Sequence, residues 1–226
     1  MSGAGAAQGV AADRAPGLFP PASDRIRAVH ARRPACFEAR TFYYDVKFAL
    51  DAVKLLPGEW FVHDDDDLLL MTVLGSCVAA CLVDRAAGIG GMNHFMLPDG
   101  GSAGRYGAYA MELLINEMLK RGARRDRLEA KVFGGGQVMR NFAVMNVGQQ
   151  NVTFVETFLA TERIAIVSHD VLGVHPRRVC LFPKSARALV KRLALARSEA
   201  IAGEESAYRG RLEGGPVMGG SVELFR

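Results

Sequence analysis

The most informative segment of the chain is LLLMTVLGSCVAACLVDRAAGIGGMNHFMLP, residues 68–98. Residues 68–74 and 78–83 are short apolar runs rich in Leu, Val and Ala, a pattern typical of buried strands. Gly75-Ser76 between them marks a tight turn or bulge, and a third apolar run, 89–97, follows a turn at Gly88. The stretch therefore predicts three consecutive buried strands, with Cys77 just past the first turn.

Cys77 and His94 are the chemically interesting pair in this stretch. A hairpin would bring His94, 17 residues further along, back beside Cys77. A thiolate is the nucleophilic form of cysteine, and an imidazole can take the thiol proton and later protonate a leaving group. In that case the thiol pKa should lie below its usual ~8.5. The alternative is that Cys77 is an ordinary small core residue. Cys81 is interpreted in that way, since it shares a strand face with Cys77 but lacks the adjacent glycine.

Composition limits the classes of protein to which this chain can belong. With 226 residues, half of them hydrophobic, the chain can bury a sizeable core as one domain with tails. No apolar run approaches the ~20 residues of a membrane span and the start lacks an apolar signal core, so we expect a soluble, cytoplasmic protein that is not inserted in a membrane. Four scattered cysteines form neither a disulfide framework nor paired metal knuckles. The net charge of +4 comes without interleaved aromatic and basic residues, so nucleic acid is not expected as a partner.

The remainder of the chain predicts a mixed α/β fold, a single domain of mixed β-sheets layered with helices. Expected elements are strands at 59–63, 128–133, 164–168, 178–182 and 187–193, a helix over 105–121, and a second helix from Val152 to about Glu162 capped by Asn151. The triple glycine Gly134-Gly135-Gly136 lacks the spacing of a nucleotide-binding loop, which leaves a wall next to the site or a simple turn.

The two ends have a different composition. Residues 1–40 are rich in Ala, Gly, Pro and Arg, and the apolar patch 42–48 either docks on the domain or forms a short helix. Residues 196–226 contain six glycines, a composition typical of a mobile tail. We therefore predict an N-terminal extension over 1–54 that is largely disordered, a folded domain over 55–195, and a flexible tail over 196–226.

Four strings in order resemble one known family: LGSCVAACL (74–82), GIGGMNHFMLP (88–98), RYGAYAMELLINEMLKRGA (105–123) and KVFGGG (131–136). They closely resemble the chemoreceptor glutamine deamidases, the CheD family. The resemblance implies that Cys77 is the nucleophile and His94 its base, with Thr72 orienting His94 through its side chain or its carbonyl. It implies no metal and no organic cofactor.

The resemblance also implies an activity and partners. We expect deamidation of glutamine side chains on the helical cytoplasmic domains of methyl-accepting chemoreceptors, together with glutamyl methyl ester hydrolysis, and a CheC-type phosphatase as a further partner. Backbone N–H groups around Gly75 and Ser76 would hold the oxyanion, and Arg105 and Tyr106 would line the pocket rim unless they only pack in a loop. The alternative is a non-catalytic module that binds receptors or the phosphatase.

Overall fold

Two five-stranded sheets form the centre of the computed structural model, which describes residues 23–97, 103–138 and 147–214. With strands numbered in chain order, the first sheet runs β1 (Thr41–Asp45), β2 (Leu50–Lys54), β4 (Leu68–Leu74), β9 (Arg177–Phe182), β10 (Arg187–Arg192). The second sheet runs β3 (Trp60–His63), β6 (Ile89–Asn93), β5 (Val78–Asp84), β7 (Glu129–Gly134), β8 (Ala165–Val171). The helices are α1 (Asp24–Ala31), α2 (Ala103–Lys120), α3 (Val147–Thr161) and α4 (Ser198–Gly214).

The central strands explain how the layers stack. Side chains alternate between the two faces of a strand. In β4, Leu68 and Leu70 point into a core shared with the second sheet, whereas Leu69 points to the opposite face. In β5, Cys81 faces the first sheet and Ala80 faces a second core built with α2 and α3. The order of layers is therefore sheet, sheet, helices, and strands covered on both faces read as continuous apolar runs. The predicted mixed α/β single domain is confirmed.

The predicted N-terminal boundary is wrong. β1 and β2 belong to the first sheet, where β2 runs parallel to β4, and Ile26 of α1 is buried in the core between the sheets. Residues 24–31 and 41–54 are therefore part of the domain, and the apolar patch 42–48 contributes a strand instead of a helix. Their ordering depends on β4 and on the core, partners that a local reading of composition does not reveal. Residues 1–22 lie outside the described residues.

The predicted flexible tail is also wrong over 198–214, which form α4. Its glycines weaken helix propensity, but helices in proteins are stabilised mainly by tertiary packing. The buried contacts of α4 with the rest of the domain therefore outweigh the composition. Residues 215–226 lie outside the described residues.

Helix α3 begins before the predicted start, so Asn151 is an interior helical residue and not a cap. Within the described residues, no helix combines the length and the apolar character needed to cross a membrane.

Candidate active site

The Gly75-Ser76-Cys77 turn connects β4 of the first sheet to β5 of the second. The triple glycine packs directly against it: the Gly135 N–H donates to the Cys77 carbonyl at 2.8 Å and the Gly136 N–H to the Gly75 carbonyl at 2.7 Å. Gly134 has a φ of +110°, and a Cβ there would collide with the Cys77 carbonyl oxygen. Of the two interpretations of the glycines, these contacts favour a wall next to the predicted site.

Asn151 holds the same turn from the helical layer. Its amide N–H₂ donates to the Ser76 carbonyl at 2.8 Å, and its amide oxygen accepts the Leu97 N–H at 2.8 Å. The side chain is fully buried, so both bonds replace water and fix the turn relative to the end of β6.

The predicted hairpin brings His94 back to Cys77. β5 and β6 pair antiparallel with Cys81 opposite Met92, and a further bridge joins Val78 to Phe95. One ring nitrogen of His94, the Cys77 Sγ and a carboxylate oxygen of Glu205 all lie within 4.8 Å of one another.

Thr72 sets the tautomer of His94. The Thr72 hydroxyl donates to the Leu55 carbonyl at 2.8 Å and also lies 2.8 Å from His94 Nδ1. Nδ1 is itself 3.2 Å from the Leu55 carbonyl oxygen, which can only accept. The network therefore assigns the proton to Nδ1, with Thr72 Oγ1 accepting from it. Nε2, which has no hydrogen-bond partner in the described part of the chain, therefore keeps its lone pair.

Glu205 of α4 occupies the turn beside Cys77. Its Oε1 accepts the N–H groups of Gly75 at 2.8 Å and Cys77 at 3.1 Å. Its Oε2 accepts the Ser76 N–H at 2.8 Å and the Ser76 hydroxyl at 2.7 Å. Three successive backbone N–H groups thus converge on one anionic group, the arrangement needed to bind a developing oxyanion.

The surroundings of Cys77 and His94 favour the neutral form of each side chain. Burial, reinforced by the negative charge of Glu205, raises the pKa of Cys77 well above its ordinary 9.0. Burial lowers the pKa of His94 from 6.5 to about 4, even though Glu205 acts in the opposite direction. The expectation of a lowered thiol pKa is therefore wrong for this structure, because burial and the carboxylate of Glu205 both disfavour the thiolate. No local sequence pattern indicates that carboxylate.

Cys77, His94 and Glu205 also form a sulfur, nitrogen and oxygen set that zinc accepts. A carboxylate has about four lone-pair positions, and those of Glu205 are taken by the four donors of residues 75–77. The chemistry of this trio thus fits an anion-binding turn better than a metal centre.

The other predicted site residues divide into two groups. Gly75 and Ser76 lie at the centre of the donor cluster. Arg105 is exposed and Tyr106 half-buried on the first turn of α2, and within residues 23–97, 103–138 and 147–214 no hydrogen bond joins either to Cys77, His94 or Glu205. Cys81 is a buried core residue, as predicted, and burial raises its pKa to about 12.

Sequence reasoning missed Glu205 and the bridging role of Asn151. The sequence signal for Glu205 is weak: Ser198, Ala202 and Glu205 follow helical spacing. A helix face made of small and acidic residues does not indicate that the face is buried.

Comparisons with known proteins agree on one family. A family model described as CheD chemotactic sensory transduction matches residues 96–192. A protein of Albidiferax ferrireducens named probable chemoreceptor glutamine deamidase CheD 1 is 55% identical over 205 residues, 89% of this chain and 86% of its own length. Proteins named probable chemoreceptor glutamine deamidase CheD from Janthinobacterium sp. (strain Marseille) and Xanthomonas campestris pv. campestris (strain B100) are 51% and 54% identical, over 83% and 81% of this chain and 95% and 93% of theirs.

Among solved structures, the Bacillus licheniformis hypothetical protein YfiH matches with a TM-score of 0.34 and 14% identity, covering 51% of this chain and 49% of that one. This similarity is too low to support a statement about fold or function.

Proposed function

Because the chain belongs to the CheD family, we propose that it deamidates glutamine side chains of chemoreceptors to glutamate during chemotaxis, with Cys77 as the nucleophile. The observation that carries the proposal is the cluster of N–H donors at Gly75, Ser76 and Cys77, which holds a carboxylate beside the thiol and the free nitrogen of His94.

In the first half of the reaction, His94 Nε2 takes the thiol proton and Cys77 Sγ attacks the carboxamide carbon. The tetrahedral oxyanion lies among the three N–H donors, and one such donor typically contributes about 3 kcal/mol to lowering the barrier. His94 then returns the proton to the departing nitrogen, ammonia leaves, and a thioester remains on Cys77.

In the second half, His94 takes a proton from water, the hydroxide attacks the thioester, and glutamate and the thiol are released. A glutamyl methyl ester would follow the same steps with methanol leaving in place of ammonia. All these steps need Glu205 to leave the donors, because its carboxylate holds the position of the product.

The proposal is tested with the full chain and a chemoreceptor cytoplasmic fragment, following ammonia release and locating converted glutamines by mass spectrometry. We expect Cys77→Ala to abolish conversion while receptor binding survives. Cys81→Ala, four residues away on the same strand face, is the matched control and should stay active. Conversion by Cys77→Ala at the wild-type rate would contradict the proposal.

Binding without turnover is the alternative function, and the same variants separate it from catalysis. If the protein is only a binding module, neither Cys77→Ala nor His94→Ala changes any measured activity. If it is an enzyme, the double variant should lose little more than either single one, since the two groups act as one unit. A CheC-type phosphatase as a further partner is a proposal that co-purification of the two proteins tests.

A further inference from the structure

Helix α4 turns a single face toward the candidate active site. Ser198, Ala202 and Glu205 are buried, whereas Gly203 and Glu204 between them are exposed. Spacings of three and four residues place the buried positions on one side of the helix. Glu205 is the residue of this face that reaches Cys77 and His94.

The surface beneath α4 has glycines where the helix approaches. A Cβ on Gly75 would lie 2.9 Å from Glu205 Oε2. Gly58, with a φ of +89°, faces the Tyr208 hydroxyl so closely that any side chain there would collide with it. These residues form a groove that fits a helix carrying a carboxylate and, three residues later, an aromatic ring.

Glu205 is an unusual anchor for a helix. Burying a charge is costly unless it is fully paired, and an apolar side chain would anchor a surface helix at less cost. Here the carboxylate is 2% exposed and its partners are the donors that the proposed reaction requires for its oxyanion. Its chemical group is also the product of that reaction.

We propose that α4 occupies the groove that binds the substrate helix, with Glu205 in the place of the product glutamate, and thereby keeps the enzyme closed until a receptor segment displaces it. This inference rests on the proposed deamidation. It adds a description of the segment that the groove accepts: a helix with its glutamine at the position of Glu205 and small residues three and seven positions before it, like Ala202 and Ser198.

In the closed state, Cys77 and His94 are buried in the described part of the chain. Cys77 is 0% and His94 2% exposed with α4 in place. Only five residues, 193–197, separate β10 from α4, so the helix is held at a high effective concentration next to the groove. An intramolecular competitor of this kind reduces the fraction of molecules that can bind substrate and so raises the apparent KM.

Glu205→Gln in the full chain tests the placement directly, because it converts the product mimic into a substrate. The introduced carboxamide can keep its carbonyl oxygen on the Gly75 and Cys77 N–H groups, next to Cys77 Sγ. His94 takes the thiol proton as the Sγ–C bond forms and passes it to the nitrogen as the C–N bond breaks and ammonia leaves. Water then supplies the oxygen as the Sγ–C bond breaks, which restores the Cys77 thiol and the carboxylate of Glu205. We expect the tryptic peptide 198–209 to carry glutamate at this position, formed at a rate independent of protein concentration.

Two variants serve as controls for this conversion. Cys77→Ala combined with Glu205→Gln should retain the introduced carboxamide. Glu204→Gln should retain its carboxamide as well, since that neighbouring side chain is exposed. An unconverted carboxamide in Glu205→Gln, in a preparation that deamidates receptor, overturns the inference and leaves the proposed function standing. If neither this carboxamide nor receptor glutamine is converted, the proposed function itself fails.

Glu205→Ala tests the closure. We expect the KM for the receptor fragment to fall roughly tenfold or more and iodoacetamide to label Cys77 faster than in the wild type. Glu204→Ala is the matched control and should leave both unchanged. An unchanged KM together with unchanged labelling in Glu205→Ala overturns the inference.

Discussion

The hydroxyl of Thr72 links His94 to the first sheet. It donates to the Leu55 carbonyl and accepts from His94 Nδ1, which leaves Nε2 as the only basic nitrogen of the ring. Of the two possible routes, side chain or carbonyl, the geometry favours the side chain. The orientation of His94 therefore depends on one hydroxyl group.

Removing this hydroxyl should affect turnover more than binding. We expect Thr72→Val to lower kcat roughly tenfold to a hundredfold, part of the 10²–10⁴ typical of general base catalysis, with KM little changed. Thr72→Ser keeps the hydroxyl and should restore most of the rate. Steady-state kinetics on a receptor fragment measures both, and a wild-type kcat in Thr72→Val would show that the hydroxyl does not position His94.

His94 should also make stability depend on pH. The unfolded chain binds a proton on this residue below pH 6.5, whereas burial lowers the pKa in the folded protein to about 4, with Lys54 acting in the same direction and Glu205 against it. Protons therefore favour the unfolded state in this window. As pH falls from about 6.5 to 4, the free energy of unfolding should drop by up to ~3 kcal/mol.

Urea unfolding of wild type and His94→Gln at pH 7 and pH 4.5 checks this prediction. The variant should lack this part of the pH dependence, while the other titrating groups contribute equally to both proteins. Identical pH dependence in the two proteins would contradict the lowered pKa of His94.

Individual site residues differed in how far the sequence revealed them. The proximity of Cys77 and His94 could be predicted because they flank the adjacent ends of two paired strands, Cys77 just before β5 and His94 just after β6. Glu205 could not, because it is 128 residues from Cys77 in sequence and meets it only through the packing of α4. For the same reason the raised pKa of Cys77 could not be anticipated.

Among the elements, the strand end at Gly134 should be the least tolerant of substitution. Its φ of +110° disfavours any side chain, and a Cβ would meet the Cys77 carbonyl. We expect Gly134→Ala to destabilise the fold by about 3 kcal/mol and to reduce activity, because the turn that carries Cys77 must move.

Gly104 on α2 provides the matched control for this change. A Cβ there meets nothing within 4 Å, so Gly104→Ala should be neutral or stabilise by up to ~1 kcal/mol. Denaturant unfolding and the deamidation assay on both variants measure the contrast. Equal stability of the two variants would contradict the close approach at Gly134.

Elements buried on both faces were the easiest to predict. The apolar runs at 68–74 and 78–83 correspond to β4 and β5 almost residue for residue, because covered strands show continuous hydrophobicity. β2 and α4 were missed since each is stabilised by partners outside its own stretch of sequence, β2 by its parallel pairing with β4 and α4 by the donors of the Cys77 turn. β1 in turn pairs with β2.

For the whole molecule, the N-terminal part is structural. A chain that begins at Leu50 lacks α1 and β1, and with them the contribution of Ile26 to the core between the sheets. We expect such a chain to fail to fold or to melt far below the full chain, as followed by circular dichroism.

Single substitutions measure the contribution of the N-terminal elements to stability without removing them. Ile26→Ala should cost roughly 2–4 kcal/mol, as is usual when a large buried side chain is truncated. The control Val46→Ala removes a side chain that is exposed and should change little. A truncated chain as stable as the full one would show that the N-terminal elements are dispensable.

The turn that carries Cys77 passes from one sheet to the other, and the contact of Thr72 with His94 also spans the two sheets. A misplacement of about 1 Å can cost a hundredfold in rate, whereas cooperative unfolding requires the loss of an entire core. A small shift of one sheet relative to the other would thus abolish activity while the secondary structure, measured by circular dichroism, stays native. On heating, the temperature at which half of the activity is lost should be lower than the melting temperature. The difference between the two temperatures would report how stiffly the two sheets are packed against each other.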